Sequence, residues 1–120
     1  MPTKMEDYLF DLNGFLVLRN AVDPDHVREL NEIVDGLSNM KSGEWRGWVH
    51  CRPESDDRRR RINSIYEAGK PFERLIDHPS WIDHVKRYVG NDDGIYIQQA
   101  WAMLAGHGTK TLLHSGGHKR

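Results

Sequence analysis

The first apolar positions of the chain recur with the period of an α-helix. A helix is predicted to begin after Thr3, because the sequence TKME is typical of a capping box in which threonine and glutamate each satisfy an N–H group at the helix end. It is predicted to end at Asn13-Gly14, since both residues tolerate positive φ. The apolar face of this helix consists of Met5, Tyr8, Leu9 and Leu12.

A second helix follows a short apolar run. Residues 15–18, with the sequence FLVL, predict a buried strand. Asp23 and Pro24 then predict a helix start, with aspartate as N-cap and proline in the first helical position. The apolar stripe of this helix consists of Val27, Leu30, Ile33, Val34 and Leu37.

Residues 38–70 are polar and rich in charge, which predicts a long loop. The loop contains four consecutive arginines, residues 58–61. Three acidic residues lie just upstream, so we interpret the run as a solvated loop; a contact to an anionic ligand is the next alternative and a nucleic-acid patch the last. Trp45 and Trp48 are expected to pack back onto the core as a lid, with the entrance of a substrate site as the alternative.

Regular structure is predicted to resume at Pro71. Apolar positions predict a helical turn that breaks near His78-Pro79, followed by a helix that ends at Gly90. Residues 91–94, with the sequence NDDG, predict a turn. Residues 95–104 then predict a strand with Gln99, Trp101 and Met103 on one face, and residues 111–114 predict the start of another strand.

Composition excludes several classes of protein. The chain has 120 residues, 38% of them hydrophobic and 29% charged, and a formal net charge of −1. Such a balance is typical of one globular domain and argues against general affinity for nucleic acid or anionic membranes. The sequence has no apolar run of the roughly 20 residues that a membrane span needs. Without a signal peptide and with a single cysteine, Cys51, the protein is expected to be cytoplasmic.

The order of elements predicts an α+β fold, with helices first and strands last. Two or three strands are too few for a stable sheet core, so residues 1–120 are expected to be the N-terminal part of a single longer domain.

Three of the seven histidines lie close together near the end of the sequence. His107, His114 and His118 are surrounded by glycines, and imidazole is a common ligand of transition metals. The spacing alone does not define a metal site, because the glycines at 116 and 117 disfavour a helix that would bring His114 and His118 together. We expect His26 and His84 to lie on the surface of their helices and His78 to act as an N-cap.

Three segments resemble the phytanoyl-CoA dioxygenase family. They are FDLNGFLVLRNAVDPDHVRELNEIVD at residues 10–35, FERLIDHPSWIDHVKRYVG at residues 72–90 and LLHSGG at residues 112–117. The resemblance spans most of the chain and is least clear at residues 38–61. It implies helices and first strands of a double-stranded β-helix (jelly-roll, cupin-like) domain that binds Fe(II) and 2-oxoglutarate and hydroxylates a small organic substrate.

The resemblance also assigns site residues. It places His114 as the first iron ligand, and the face that carries Gln99 looks toward the co-substrate or substrate. The second histidine and the main 2-oxoglutarate anchor would lie beyond Arg120, so this chain alone is expected to be inactive. The partner implied is a small-molecule substrate.

The sequence departs from the family at residue 116. The family's second ligand is the carboxylate of a His-x-Asp pair, and Gly116 stands in its place. In the wider superfamily, glycine or alanine there is the pattern of non-haem iron halogenases, in which chloride fills the position. Two alternatives therefore stay open: a halogenase-like variant, and a non-enzymatic or degenerate α+β module with a histidine-rich tail.

Overall fold

A computed structural model describes residues 1–111. The chain is a mixed α+β structure, as predicted, and residues 112–120 lie outside the described part. The helices are α1 (Lys4–Asn13), α2 (Pro24–Leu37), a 3₁₀ helix (Ile65–Ala68), α3 (Lys70–Glu73) and α4 (Ile82–Val89). The strands are β1 (Trp45–Arg46), β2 (Val49–Cys51), β3 (Arg59–Asn63) and β4 (Trp101–Ala105).

The four strands form one antiparallel sheet in the order β1-β2-β3-β4. A tight hairpin joins β1 to β2, and Gly47 in its loop has a φ of 59°, which few residues other than glycine adopt readily. The pairing of β3 with β4 is the longest in the sheet, running from Arg59 opposite Ala105 to Asn63 opposite Trp101. It joins segments that lie about forty residues apart in the sequence.

One face of this sheet is covered by helices. Met40, Cys51 and Ile62 are completely buried, and Val49 and Ile65 are nearly so. Half-buried side chains from α2, the 3₁₀ helix, α3 and β4 pack against them. The half-buried side chains that pack against this core are Leu37, Ala68, Phe72, Ala100, Ala102 and Leu104. Because alternate strand residues point to opposite faces, the strand residues next to Cys51 and Ile62 lie on the other face of the sheet.

The opposite face of the sheet is open. Trp45, His50, Asn63 and Trp101 lie opposite one another in a row across the four strands. Trp45 is 60% exposed, and its ring stacks on His50 with centroids 4.1 Å apart. The prediction that Trp45 packs onto the core is therefore wrong.

The predicted helix ends are confirmed. Thr3 and Glu6 form the reciprocal capping box at the start of α1, and Gly14 ends that helix in the left-handed region with a φ of 74°. Asp23 accepts a hydrogen bond from the N–H of His26, and Pro24 occupies the first turn of α2. Each of these contacts involves residues within one turn, which is why the sequence reveals them.

The predicted strands are less accurate. Residues 15–18 form no strand, and Phe15 and Val17 are exposed. The predicted loop at 38–70 instead contains β1, β2, β3 and the 3₁₀ helix, and the predicted strand at 95–104 is shortened to β4. A strand needs a partner to accept its hydrogen bonds, and a local pattern does not show where that partner lies. The strand expected at 111–114 lies almost wholly outside the described residues.

Helices α1 and α4 are joined by polar and aromatic contacts. The rings of Phe10 and Tyr88 stack with centroids 4.2 Å apart. Arg87 donates two hydrogen bonds to the carboxylate of Asp7, from Nε at 2.7 Å and from Nη2 at 2.6 Å. The Tyr88 hydroxyl donates to the same carboxylate at 2.9 Å. Hydrogen bonding by the Arg87 side chain lowers the pKa of Asp7, so the interaction holds α1 against α4 while Asp7 is ionised.

We expect Ile62→Ala to destabilise the protein by about 2–5 kcal/mol, because it leaves a cavity under the central strand β3. Urea unfolding followed by circular dichroism measures this loss. Val89→Ala is the control, because Val89 is 66% exposed and its truncation should change the free energy of unfolding by less than about 0.5 kcal/mol. Equal effects of the two substitutions would contradict the assignment of the core.

We expect Asp7→Asn to lower stability near neutral pH and to have little effect in acid. The folded-state pKa of Asp7 lies below its usual value of 3.8. The stabilisation is therefore complete above the unfolded-state pKa and is lost as the pH falls through the lower folded-state value. Urea unfolding of both proteins at several pH values tests this. Asp11→Asn is the control: it removes an exposed carboxylate from the same helix and should change the free energy of unfolding near neutral pH by less than about 0.5 kcal/mol. A penalty for Asp7→Asn that persists in strong acid would contradict the assignment.

Candidate functional site

A cleft of about 300 Å³ lies on the open face of the sheet, where β3 leads into the 3₁₀ helix. We call it the Arg61 cleft; it is bounded by Arg61, Asn63, Ser64, Tyr66 and residues 97–101. Ser64 has a φ of 55° and a ψ of 41°, in the left-handed region that few residues other than glycine adopt. Such backbone strain is concentrated at ligand sites and tight turns, and at Ser64 it favours the cleft as a candidate ligand site.

Arg61 is held in place by neutral groups. Its Nε donates a hydrogen bond to Oδ1 of Asn63 at 3.1 Å, and its guanidinium carbon lies 4.6 Å from the ring centroid of Trp101. No carboxylate forms an ion pair with Arg61 within residues 1–111. The guanidinium is thus oriented by an amide and by a cation–π contact while its positive charge stays available to a ligand.

Two amide side chains of the cleft are oriented by the protein itself. Oδ1 of Asn63 accepts from Arg61, and Oε1 of Gln99 accepts from the indole N–H of Trp101 at 3.3 Å. With both oxygens engaged, the amide NH₂ groups of Asn63 and Gln99 remain as donors. Arg61, Asn63 and Gln99 therefore offer hydrogen-bond donors to the cleft, which favours a ligand rich in acceptor oxygens, above all an anion.

A second cleft, of about 280 Å³, lies on the other side of Arg61. We call it the Arg59 cleft; Arg52, Ser55, Arg59, Arg61 and Met103 line it together with Glu54. Arg52 donates to both carboxylate oxygens of Glu54, at 3.0 and 3.1 Å. Hydrogen bonding from Arg52 lowers the pKa of Glu54, so this carboxylate is already paired.

The predicted site residues are only partly within the described structure. Gln99 precedes β4 and lines the Arg61 cleft together with Trp101. His114, Gly116 and His118 lie outside the described residues. Within residues 1–111, no group of three or more histidine, cysteine, aspartate or glutamate side chains is placed to hold a metal ion. The described residues therefore do not by themselves form the iron site that the resemblance implies.

The histidines of the helices have structural contacts. His26 is buried, and its Nε2 lies 2.7 Å from the carbonyl oxygen of Pro71, which ties α2 to α3. His84 is also largely covered, with its side chain 15% exposed and its Nε2 3.2 Å from Oε1 of Glu6. The prediction that His26 and His84 lie on the surface is wrong, because each faces a neighbouring helix. The prediction that His78 is a helix N-cap is wrong, because Trp81 occupies that position in α4. His78 instead accepts a hydrogen bond from the N–H of Ser80 and stacks on the ring of Trp81.

The sequence does not indicate that Arg61 and Arg59 line candidate clefts. Acidic residues close by in the sequence favour a solvated loop instead. One of those residues, Asp56, accepts hydrogen bonds from the backbone N–H groups of Arg59 and Arg58, which lower its pKa, rather than from an arginine side chain. One feature of the sequence does favour a strand here. Ile62 is an apolar residue directly after the four arginines, which fits the alternation of a half-buried strand.

Comparisons of the chain with protein-family models, with curated proteins and with solved structures gave no match. In residues 1–111, no helix has both the length and the apolar character needed to cross a bilayer. The family resemblance therefore depends on the sequence segments quoted above, and the two clefts are defined by geometry alone.

Proposed function

We propose that this chain supplies the helices and first strands of an Fe(II)/2-oxoglutarate-dependent oxygenase of the phytanoyl-CoA dioxygenase type, and that its Arg61 cleft receives 2-oxoglutarate. The observation that carries the proposal is the donor-rich cleft on the uncovered face of the sheet. In a jelly-roll domain the ligand cavity lies between sheet faces, and within residues 1–111 helices cover one face of this sheet and leave the other uncovered. The substrate would be a small organic molecule.

The cleft suits the co-substrate chemically. 2-Oxoglutarate is a dianion whose two carboxylates and keto group only accept hydrogen bonds. Arg61 supplies a positive charge, and the NH₂ groups of Asn63 and Gln99 supply neutral donors beside it. A hydrogen bond to a charged group contributes about 1.5–3 kcal/mol, so Arg61 would account for the largest single share of affinity from this cleft.

Trp101 would assist binding in two ways. The guanidinium of Arg61 lies over the Trp101 ring, and this cation–π contact orients its N–H donors before the ligand binds. The ring also covers one side of the cleft, and excluding water there strengthens the attraction between Arg61 and a carboxylate. This preorganisation reduces the side-chain ordering that accompanies binding.

Iron would be held outside the described residues. His114 is the one ligand that the resemblance assigns, and the bound metal would supply the site at which 2-oxoglutarate is oxidatively decarboxylated. The contribution of residues 1–111 is to bind and orient the co-substrate through Arg61, Asn63 and Gln99.

Arg61→Gln should weaken 2-oxoglutarate binding by roughly 10- to 100-fold, because it removes a charge-assisted hydrogen bond of about 1.5–3 kcal/mol. Calorimetric titration of the full-length protein that contains this sequence measures the change. Arg58→Gln is the control, because it removes the same charge from a residue that precedes β3 and lines neither cleft. The dissociation constant for 2-oxoglutarate of this variant should stay within about twofold of the original. If both substitutions weakened 2-oxoglutarate binding equally, the proposed binding of 2-oxoglutarate in the Arg61 cleft would be contradicted.

His114→Ala should abolish succinate formation from 2-oxoglutarate by the same full-length protein supplied with Fe(II), because the resemblance makes His114 an iron ligand. His107→Ala removes an exposed histidine from the preceding loop and should leave turnover unchanged. If turnover requires chloride, the halogenase-like variant with Gly116 is the better description. If the unaltered protein forms no succinate, the non-enzymatic or degenerate module replaces the proposal.

A further inference from the structure

The four-arginine run at residues 58–61 is divided by the sheet. Arg59 and Arg61 lie on the open face, since β4 places Ala105 and Met103 opposite them. Arg60 points to the other side, where it donates to the carbonyl oxygen of Ser38 and pairs with Asp57. The alternation of β3 therefore turns a local run of like charges into two arginines that share one surface.

Arg59 is oriented without being neutralised. Its Nε donates to the sulfur of Met103 at 3.4 Å, and its Nη1 donates to the carbonyl oxygen of Lys110 at 3.4 Å. No carboxylate within residues 1–111 forms an ion pair with Arg59. Both partners are neutral and weak, so most of the hydrogen-bonding capacity of the guanidinium remains for a ligand.

The charge in the Arg59 cleft is unbalanced. Three guanidinium groups line it, from Arg52, Arg59 and Arg61, together with one carboxylate, from Glu54. That carboxylate is bound on both oxygens by Arg52. Ser55 adds a further donor, because its Oγ already accepts the backbone N–H of Arg61 at 3.0 Å and its hydroxyl hydrogen is left over.

We propose that the Arg59 cleft is a second anion site, separate from the Arg61 cleft, and that it binds the carboxylate or phosphate group of an organic substrate. The identification of this anion as the substrate rests on the proposed function, in which the Arg61 cleft holds 2-oxoglutarate. The two clefts meet at Arg61, so the two ligands would lie side by side on the open face.

The size and lining of the cleft indicate the kind of anion. Its volume of about 280 Å³ is at the low end for ligand pockets, which suits one end of a molecule. Met103 contributes an apolar wall beside the arginines, so an aliphatic chain attached to the anion would have a surface to contact. A nucleic-acid backbone fits less well, because Arg60 is turned away and the chain carries a net charge of −1.

The test is a set of calorimetric titrations of the full-length protein in saturating 2-oxoglutarate. The probes are hexanoate, hexyl phosphate and hexan-1-ol, which share one chain and differ in head group. Hexanoate or hexyl phosphate should bind, hexan-1-ol should not, and comparison of the two anions distinguishes a carboxylate from a phosphate substrate. Arg59→Gln should weaken binding of the preferred anion at least tenfold and leave the affinity for 2-oxoglutarate within about twofold, because the charge removed lies in the neighbouring cleft.

Two variants serve as controls. Arg58→Gln removes an identical charge from the adjacent residue, which does not line the Arg59 cleft, and should leave the affinity for the anion within about twofold. Arg59→Lys keeps the charge and should bind the anion more tightly than Arg59→Gln. Unchanged circular dichroism spectra and melting temperatures would establish that the variants fold, as expected for an exposed side chain.

Each outcome bears on one proposal or the other. Equal weakening by Arg58→Gln and Arg59→Gln would mean general electrostatic attraction and would overturn the second site. Displacement of the bound anion by 2-oxoglutarate would mean a single shared site and would overturn it as well. If the anion binds through Arg59 while 2-oxoglutarate does not bind at all, the anion site stands and the proposed oxygenase function fails.

Discussion

The register between β3 and β4 is the constraint on which the rest of the structure depends. It sets Ile62 opposite Ala102 on the covered face and Arg61 opposite Met103 on the open face. A slip of one residue would exchange the two faces, so that Ile62 would be exposed and Arg61 would be buried among apolar side chains. Burying a guanidinium without a partner is expensive, and this penalty reinforces the hydrophobic preference for the observed pairing.

Within residues 1–111, the arginine side chains that form hydrogen bonds have two kinds of partner. Several are paired with carboxylates, whereas Arg59 and Arg61 are positioned by an amide oxygen, a thioether sulfur, a backbone carbonyl and an aromatic ring. Neutral partners fix the direction of a guanidinium without cancelling its charge. This difference separates arginines that stabilise the fold from arginines that are available to a ligand. The carboxylate pairs are Arg28–Asp25, Arg46–Glu44, Arg52–Glu54, Arg60–Asp57, Arg74–Glu29 and Arg87–Asp7.

The segments that resemble a known family and the segments that carry the clefts are largely different. Residues 10–35 and 72–90, where the resemblance is clear, contain part of α1, most of α2, part of α3 and all of α4. The arginines of the clefts lie in residues 52–61, within the stretch where the resemblance is least clear. Under the proposals, the helical layer would be the shared scaffold, whereas β3 would carry Arg61 for the co-substrate and Arg59 for the substrate of this protein.

The sequence by itself determined the features that depend on neighbouring residues. The capping box at Thr3, the Asp23-Pro24 start of α2 and the α+β character were all predictable, because caps and helix faces involve residues within one or two turns. Gln99, predicted to lie within a strand, precedes β4 and lines the Arg61 cleft from there. Two features follow only from the tertiary structure: residues 59–63 form a strand rather than a loop, and His26 is buried. Both outcomes depend on partners about forty residues away in sequence, namely β4 and the carbonyl of Pro71, and no local pattern specifies a contact at that distance.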